Sequence, residues 1–565
     1  MAGSWTGRGP PGAIPAAARS AGDGRLNGFC LELAVPPEIA GRLRRHPLLH
    51  PGHAAWAKRR LVHIAWHDGE DGPLMAAGLA LGEERQGRTR QWWLEKLGTC
   101  AKQDINFPRP PGAPPPVLAR ADRLEALGPE VLGHTLPAPL RTVARFEASR
   151  RTASIGGGRK KDAPGRIALE LLEGRLETSR VGQPLARLRL VGQPVAVFAL
   201  ADRLLADLPC TVPAASLAEE ALGASLEAPS EGFPRKFPGG FPSEDAPRIG
   251  SSLLPEGLSA GDALAWLVAS LARALLALAP RAAAGDGSEP VHQMRVALRR
   301  LRTAITVLKR VLPPLLPPHD AAHDAGSASS ALAGAEAGLR TLARALGPAR
   351  EWDVFLEGAG MAVAGAFPEN AALARLLKAA WRQREAAYEA LRAELGSAGF
   401  RRLMLQLSSL AVLRPWQGMK EAPEGMQEGD GPQSPLTATA VAGLLQRRQR
   451  KLLSAAADIA NADGEHLHAI RLRAKRLRYA GELFSSLFPR KETQRFLRRL
   501  ARLQDRLGAV NDARAVDRLL GELGSTGKGH AAGIVRGFVA ANALREQLRV
   551  APAWRKFRRQ APFWH

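Results

Sequence analysis

Two thirteen-residue segments of this chain match each other without a gap, and that repeat restricts the possible folds more than any other feature. Residues 291–303 read Val-His-Gln-Met-Arg-Val-Ala-Leu-Arg-Arg-Leu-Arg-Thr. Residues 467–479 read Leu-His-Ala-Ile-Arg-Leu-Arg-Ala-Lys-Arg-Leu-Arg-Tyr. Each copy sets a histidine ahead of four basic residues in the same phase. His292, Arg295, Arg299, Arg300 and Arg302 correspond to His468, Arg471, Lys475, Arg476 and Arg478, with Tyr479 closing the second copy. A repeat of this kind predicts two related helical halves.

At about 100° per residue, His292, Arg295, Arg299 and Arg302 fall on one helix face, and Lys309 and Arg310 extend it. Met294, Leu298, Leu301, Ile305 and Leu308 fall on another, predicted to face a core. In the second copy Ile470, Ala474 and Leu477 point inward, while His468, Arg471, Lys475 and Arg478 group together. Like charges stacked at this spacing repel. No acid stands between Val291 and Val311 to offset them. An isolated stripe of this sort is normally a solvated basic face. Two in the same phase point to a shared external anion, held in a groove lined by Arg, Lys and His. The histidines suit phosphate hydrogen bonding better than a core or a metal site, because a bound polyanion favours their protonation.

A weaker repeat follows each stripe. Leu346-Gly-Pro-Ala-Arg-Glu-Trp-Asp-Val354 stands after the first. Leu507-Gly-Ala-Val-Asn-Asp-Ala513, introduced by Leu503-Gln-Asp505, stands after the second. Each reads as a helix end with Gly followed by polar capping residues. Asp353 and Asp512 either cap the next helix or pair with stripe arginines and orient them.

The charge of the whole chain agrees with an anionic partner. Lys and Arg total 79 against 54 Asp and Glu, for a net charge of +25. Fourteen of the basic residues are Lys and 65 are Arg, the side chain that pairs two phosphate oxygens at once. A GC-rich genome explains Arg in place of Lys but not the net charge. Cys30, Cys100 and Cys210 are too few and too scattered for a metal site or a disulfide frame,. The N-terminus lacks the apolar run of a signal peptide. The most apolar stretch, 263–279, is interrupted by Arg273 and falls short of the ~20 residues of a membrane span. These features predict a cytoplasmic protein without membrane partners.

The 565 residues predict two to four domains,. Residues 1–26 read as a flexible tail. Residues 27–210 mix short alternating runs, notably 166–172 and 185–191, with a helix over 195–208. Residues 211–257 read as a Pro/Gly-rich linker, and residues 258–565 as all helical, with loops near 313–330 and 415–436. The expected class is α+β multidomain.

The stripes, the Gly-Pro-Ala-Arg-Glu-Trp-Asp-Val segment, the Leu-Gly-Ala-Val-Asn-Asp segment and the opening helix 260–278 together resemble the CHAD domain over roughly 251–550. That resemblance implies two pseudo-symmetric four-helix bundles, a basic pore or groove that binds inorganic polyphosphate, and association with polyphosphate granules. Residues 27–210 resemble in outline a CYTH domain, a β-tunnel that hydrolyses triphosphate with a divalent metal. Leu31-Glu-Leu-Ala-Val-Pro-Pro37 matches its first strand, Leu79–Arg85 and Trp92–Lys96 its next hairpin, and 167–176 and 185–192 its later strands. Residues 195–208 match its closing helix.

The family's chemistry does not carry over. Where the first strand carries Glu-x-Glu-x-Lys, this chain has Gly28-Phe-Cys-Leu-Glu32. A late Glu-x-Glu is replaced by Arg187-Leu-Arg189, whose period-2 spacing aims both arginines the same way,. Mg²⁺ takes oxygen ligands, and no inward carboxylate cluster is evident. A degenerate tunnel without a metal is therefore expected, with Lys96, Arg150, Arg151, Arg187 and Arg189 as anion contacts and no catalytic residue.

Three functions compete. One is polyphosphate binding without a cofactor. A second is a Mg²⁺- or Mn²⁺-dependent inorganic triphosphatase, for which Glu32, Glu84, Glu170 and Glu173 are the candidate acids. A third is nucleic-acid binding, disfavoured because aromatics make up only 5% of the chain and none lies in 291–312,. Phosphate contacts alone would leave only non-specific DNA binding. Oligomeric state is not legible from the sequence.

Overall fold

The computed structural model describes residues 29–49, 56–69, 72–76, 78–97, 102–105, 141–156, 165–178, 182–223, 254, 257–309, 325–416 and 436–564. The chain divides into two compact units, Met1–Asp245 and Ala246–His565. The expected tail 1–26 and Arg310 lie outside the described residues.

The first unit is built on one antiparallel sheet. Its strands are β1 (Phe29–Val35), β2 (Arg60–Asp68), β3 (Leu79–Gln86), β4 (Thr89–Lys96), β5 (Lys102–Ile105), β6 (Arg141–Ile155), β7 (Ile167–Thr178) and β8 (Gly182–Gly192). They lie in the order β1-β8-β7-β6-β2-β3-β4-β5. The strands expected from alternation appear as β7 and β8, strands lie where the resemblance put them at β1, β3 and β4, and the expected helix is α1 (Pro194–Asp207). β2 and the fifteen-residue β6 add to that set. Alternation in β2 buries Val62, Ile64 and Trp66 while Leu61 and His63 face outward.

Helices cover the sheet in two places. α1 packs on β1 and β8 through Val197, Phe198, Ala201 and Leu204. α2 (Leu217–Gly223) packs on β2, β3, β6 and β7. Its Leu217, Ala218, Ala221 and Leu222 join Ile64, Trp66, Phe146 and Leu172 in one apolar cluster. The stretch expected to begin a linker thus starts as part of the sheet unit. The sequence concealed this because α2 has only seven residues and lies between turn-forming ones.

The second unit is helical among its described residues. Its main helices are α3 (Ala260–Ala284), α4 (Glu289–Leu308), α5 (Ala325–Phe355), α6 (Ala371–Leu395), α7 (Ala398–Leu413), α8 (Ala438–Ala455), α9 (Gly464–Leu483), α10 (Arg490–Glu522), α11 (His530–Leu548) and α12 (Val550–Arg558). Their starts are set locally. The side chains of Ser259, Asn370, Ser397, Thr437 and Asp463 each accept a backbone N–H of the first turn,. α3 ends at Gly285 in the left-handed region, φ 81°,. At 25 residues α3 is longer than expected, and by length and composition it is apolar enough to cross a membrane. Here it packs against α4, α6 and α7, with Leu264, Leu267, Val268, Leu271, Leu275 and Leu278 buried.

Both repeats bury the residues that the periodicity predicts. Met294, Leu301, Ile305 and Leu308 of α4 and Ile470, Ala474 and Leu477 of α9 have no exposed surface, and Leu298 has 4%. The two Gly-containing segments are not helix ends. α5 runs through Gly347-Pro348 and α10 through Gly508. Proline at 348 still leaves a continuous helix in a long, packed element, so tertiary contact outweighs the local breaking tendency.

Gly174 has a strict requirement. A Cβ built there would run into the Glu147 carbonyl and Ala148 of the neighbouring strand. Gly174→Val is expected to cost the sheet unit about 3 kcal/mol, the upper end of what overpacking typically costs. A lowered urea midpoint of that unit, followed by circular dichroism, checks it.

Candidate functional site

α4 and α9 pack against each other, and their basic faces meet in a pocket of about 650 Å³. From α4 come His292, Arg299 and Arg300. From α9 come Arg471, Lys475, Arg478, Tyr479 and Glu482. The wall from α10 supplies Gln504, Asp505, Gly508 and Asp512. The two sequence repeats therefore contribute to one cavity, 176 positions apart in the chain.

The other stripe residues stand beside this pocket rather than in its lining. Arg295 is half-buried and close enough to Arg299, Arg350 and Tyr479 to interact electrostatically. Arg302, His468 and Arg476 are exposed, and Lys309 caps the C-terminus of α4.

Within the pocket the cations outnumber their partners. The Arg299 guanidinium lies 4.2 Å above the Tyr479 ring, a cation–π contact that fixes its plane. Arg478 donates through Nε to Glu482 at 2.7 Å and through Nη1 to Gln504 at 3.3 Å. Arg471 Nε is buried without a hydrogen-bond partner. Among the described residues, Arg299, Arg471 and Lys475 form no ion pair with a carboxylate.

The proton affinities register that excess. Burial, and then repulsion from Arg471 and Arg299, lowers Lys475 to a pKa of about 8. Burial and Arg350 lower His292. Burial also lowers Arg295 and Arg300, outweighing their attraction to Glu351 and Glu482 respectively. Asp512 is raised by burial despite the pull of Arg471 and Lys475. A site that loosens the protons of its own cations is one that an external anion would stabilise.

The two candidate orienting acids behave differently. Asp512 lines the pocket and is close enough to Arg471 and Lys475 to interact electrostatically. Asp353 does not reach the stripe. It is 1% exposed and accepts from Arg384 Nε at 2.7 Å and from the Tyr388 hydroxyl at 2.9 Å. Arg384 and Tyr388 lie on α6, which packs alongside α5. Because α5 continues through Pro348, Asp353 is turned into the helix interface rather than left at a cap. Sequence reading also passed over Glu482 and Gln504. Their signal was present in the four-residue spacing of Arg478 and Glu482,.

The sheet unit offers a contrasting cluster. Arg187 and Arg189 do point the same way, Arg187 buried and Arg189 nearly so, but not into an uncompensated cavity. Glu32 bridges them, accepting from Arg187 Nε at 3.2 Å and Arg189 Nε at 3.0 Å. Glu170 accepts from Arg189 Nη1 at 3.2 Å. Arg150 pairs with Glu84 and with Glu170, and Arg187 also with Glu220. An inward carboxylate cluster thus exists, contrary to expectation, but each member holds an arginine. The antiparallel register places Glu32 opposite Arg189 on β1–β8 and Glu170 opposite Arg189 on β7–β8.

Burial opposes the charge on Arg189, yet Glu32 and Glu170 raise its pKa well above its ordinary value. Arg150 is raised in the same way through Glu84 and Glu170. Arg151, next to Arg150 on β6, points to the opposite face, and Lys96 closes β4 opposite Leu79. Glu173, a candidate metal ligand, pairs instead with Arg44 at 2.5 Å. Among the described residues, no group of three or more His, Cys, Asp or Glu is arranged to hold a metal.

Two outcomes follow. Glu32→Ala leaves two buried arginines without their shared partner and is expected to destabilise the sheet unit by about 3–5 kcal/mol, read as a lower urea midpoint. In the helical unit, NMR of methylated lysines is expected to find one group titrating near pH 8, absent in Lys475→Met. Pyrophosphate should move that titration upward, because an anion favours the charged amine.

Comparison with known proteins finds a family match within the helical unit. Residues 267–521 match the family model of the CHAD domain. Among solved structures, the chain is similar to the crystal structure of the CHAD domain from the plant Ricinus communis. Identity is 24% over 54% of this chain and 95% of that one, with a TM-score of 0.43. It is also similar to PptA from Streptomyces chartreusis, at 14% identity over 53% of this chain and 99% of that one, TM-score 0.38. No curated protein matches the chain. On the family match, the helical unit of this protein carries a CHAD domain over residues 267–521.

Proposed function

We propose that this protein binds inorganic polyphosphate in the groove between α4 and α9. The observation that carries the reading is the meeting of two basic stripes in one pocket whose Arg299, Arg471 and Lys475 form no ion pair among the described residues. A chain of phosphates answers that arrangement. It brings closely spaced charge, accepts hydrogen bonds from every side, and needs no base-stacking platform. His292 and Lys475, held short of full protonation by their surroundings, would take up protons as the anion enters. The CHAD resemblance implies the same ligand, two pseudo-symmetric four-helix bundles, and a place in the cytoplasm at polyphosphate granules.

The sheet unit is, in this reading, a CYTH-like tunnel that has lost hydrolysis. Glu32, Glu84 and Glu170 are the acids an inorganic triphosphatase would need for Mg²⁺ or Mn²⁺, and each is tied to Arg150, Arg187 or Arg189. Those arginines are equally occupied, so this unit contributes less to anion binding than the groove. Metal-dependent release of phosphate from tripolyphosphate by the isolated protein would overturn this part.

The test is a binding competition on the full chain near physiological salt. Labelled long-chain polyphosphate should resist single-stranded DNA at matched phosphate concentration. Lys475→Glu combined with Arg478→Glu should weaken polyphosphate binding by roughly 100-fold or more, the effect of two lost charge-assisted contacts of about 1.5 kcal/mol each. Helicity should be unchanged. Equal competition by DNA, or unchanged binding by the variant, removes the groove as a polyphosphate site.

A further inference from the structure

We propose that the exposed side of α10 before the groove, together with α12, forms a second polyanion-binding surface that takes the length of a phosphate chain emerging from the groove. The inference rests on the groove reading and extends it to the ligand's chain length. α10 is one helix of 33 residues. Its later turns supply Gln504, Asp505, Gly508 and Asp512 to the pocket. Its earlier turns carry Arg490, Lys491, Arg495, Arg498, Arg499 and Arg502, with Glu492 as the one acid among them. All but the half-buried Arg499 are exposed. Among the described residues none of these cations forms an ion pair, whereas Arg506, one turn further on, is paired with Glu546.

The direction of this stripe is set by the helix. At about 100° per residue, Lys491, Arg498 and Arg502 lie within roughly 40° of one another and within roughly 60° of Asp505, which lines the pocket,. Phe496, Leu500, Leu503 and Leu507 occupy the opposite side and are buried. The rise of about 1.5 Å per residue puts Arg490 roughly 20 Å along the axis from Asp505. The stripe is thus a continuation of the pocket wall.

α12 widens it. α12 packs on α10, and Arg499 donates to the Lys556 carbonyl at 3.2 Å. Arg555, Lys556, Arg558 and Arg559 are exposed. The apolar side of α12 is spent on the fold, since Val550, Trp554 and Phe557 are buried in the main core. A membrane-surface helix needs that side free, and base binding needs exposed aromatic rings. A bare phosphate chain needs only the cations, and this surface offers those.

The test compares tripolyphosphate with long-chain polyphosphate on the full chain. The variant combines Arg498→Gln, Arg502→Gln, Arg555→Gln and Lys556→Gln, all at exposed positions, with folding checked by circular dichroism. The expected result is unchanged tripolyphosphate affinity and a loss of at least about tenfold for the long chain. The salt dependence of long-chain binding should also become shallower, by roughly 0.7–0.9 in log–log slope per phosphate contact removed. Unchanged long-chain binding, or an equal loss for both ligands, overturns the inference. So does a variant that loses only duplex DNA or anionic vesicles, which would give the surface to another partner. Failure of the groove reading looks different: the Lys475→Glu, Arg478→Glu protein would keep its tripolyphosphate affinity.

Discussion

Like charge brought out of water is the constraint on which the helical unit depends. α4 and α9 each present a row of cations, and packing their apolar sides into the core forces those rows together. Hydrophobic burial of Met294, Leu301, Ile305, Ile470 and Leu477 contributes about 1.5–3 kcal/mol per side chain,, and it offsets the repulsion that burial of Arg295, Arg300 and Lys475 creates. The opposing terms remain visible in the weakened proton affinities of those cations. A fold optimised for stability alone would have interleaved acids. This one, on the proposed function, leaves the compensating charge to a ligand.

The sheet unit shows the other resolution of the same problem. Arg187 is buried and Arg150 and Arg189 are largely withdrawn from water, but Glu32, Glu84, Glu170 and Glu220 stand within ion-pair reach. Their proton affinities move in the opposite direction where a shift is seen, Arg150 and Arg189 being raised. The two arginine clusters thus differ in how far carboxylates pair with them: every arginine of the sheet cluster is ion-paired, whereas in the groove, among the described residues, Arg478 is paired with Glu482 while Arg299 and Arg471 form no ion pair. That difference separates a packed polar layer from the proposed binding site.

The two repeats are not equivalent in use. Asp353 of the first half is withdrawn into an interface with Arg384 and Tyr388, and Arg384 is itself stacked between Trp381 at 5.1 Å and Tyr388 at 4.2 Å. Asp512 of the second half stays with the cations. The acids lining the groove are Asp505 and Asp512 from α10 and Glu482 from α9, the last held by Arg478, and a phosphate chain would lie toward the remaining cations of α4 and α9. α10 also joins the groove to the basic surface beyond it, so one continuous helix links the two proposed contacts.

The sequence by itself determined the helix faces, the pairing of the two basic stripes, the sheet strands with clean alternation, and the shared direction of Arg187 and Arg189. Each follows from a period of 3.6 or 2 that local chemistry imposes on any folded backbone. Tertiary structure alone decided which charges are compensated. Glu32 meets Arg189 across a β1–β8 register that joins residues 157 positions apart. Asp353 finds Arg384 only because α5 runs unbroken through Pro348 and docks on α6. Whether a buried arginine is neutralised or waits for an anion depends on distances of a few ångströms between elements remote in sequence, and periodicity carries no information about those.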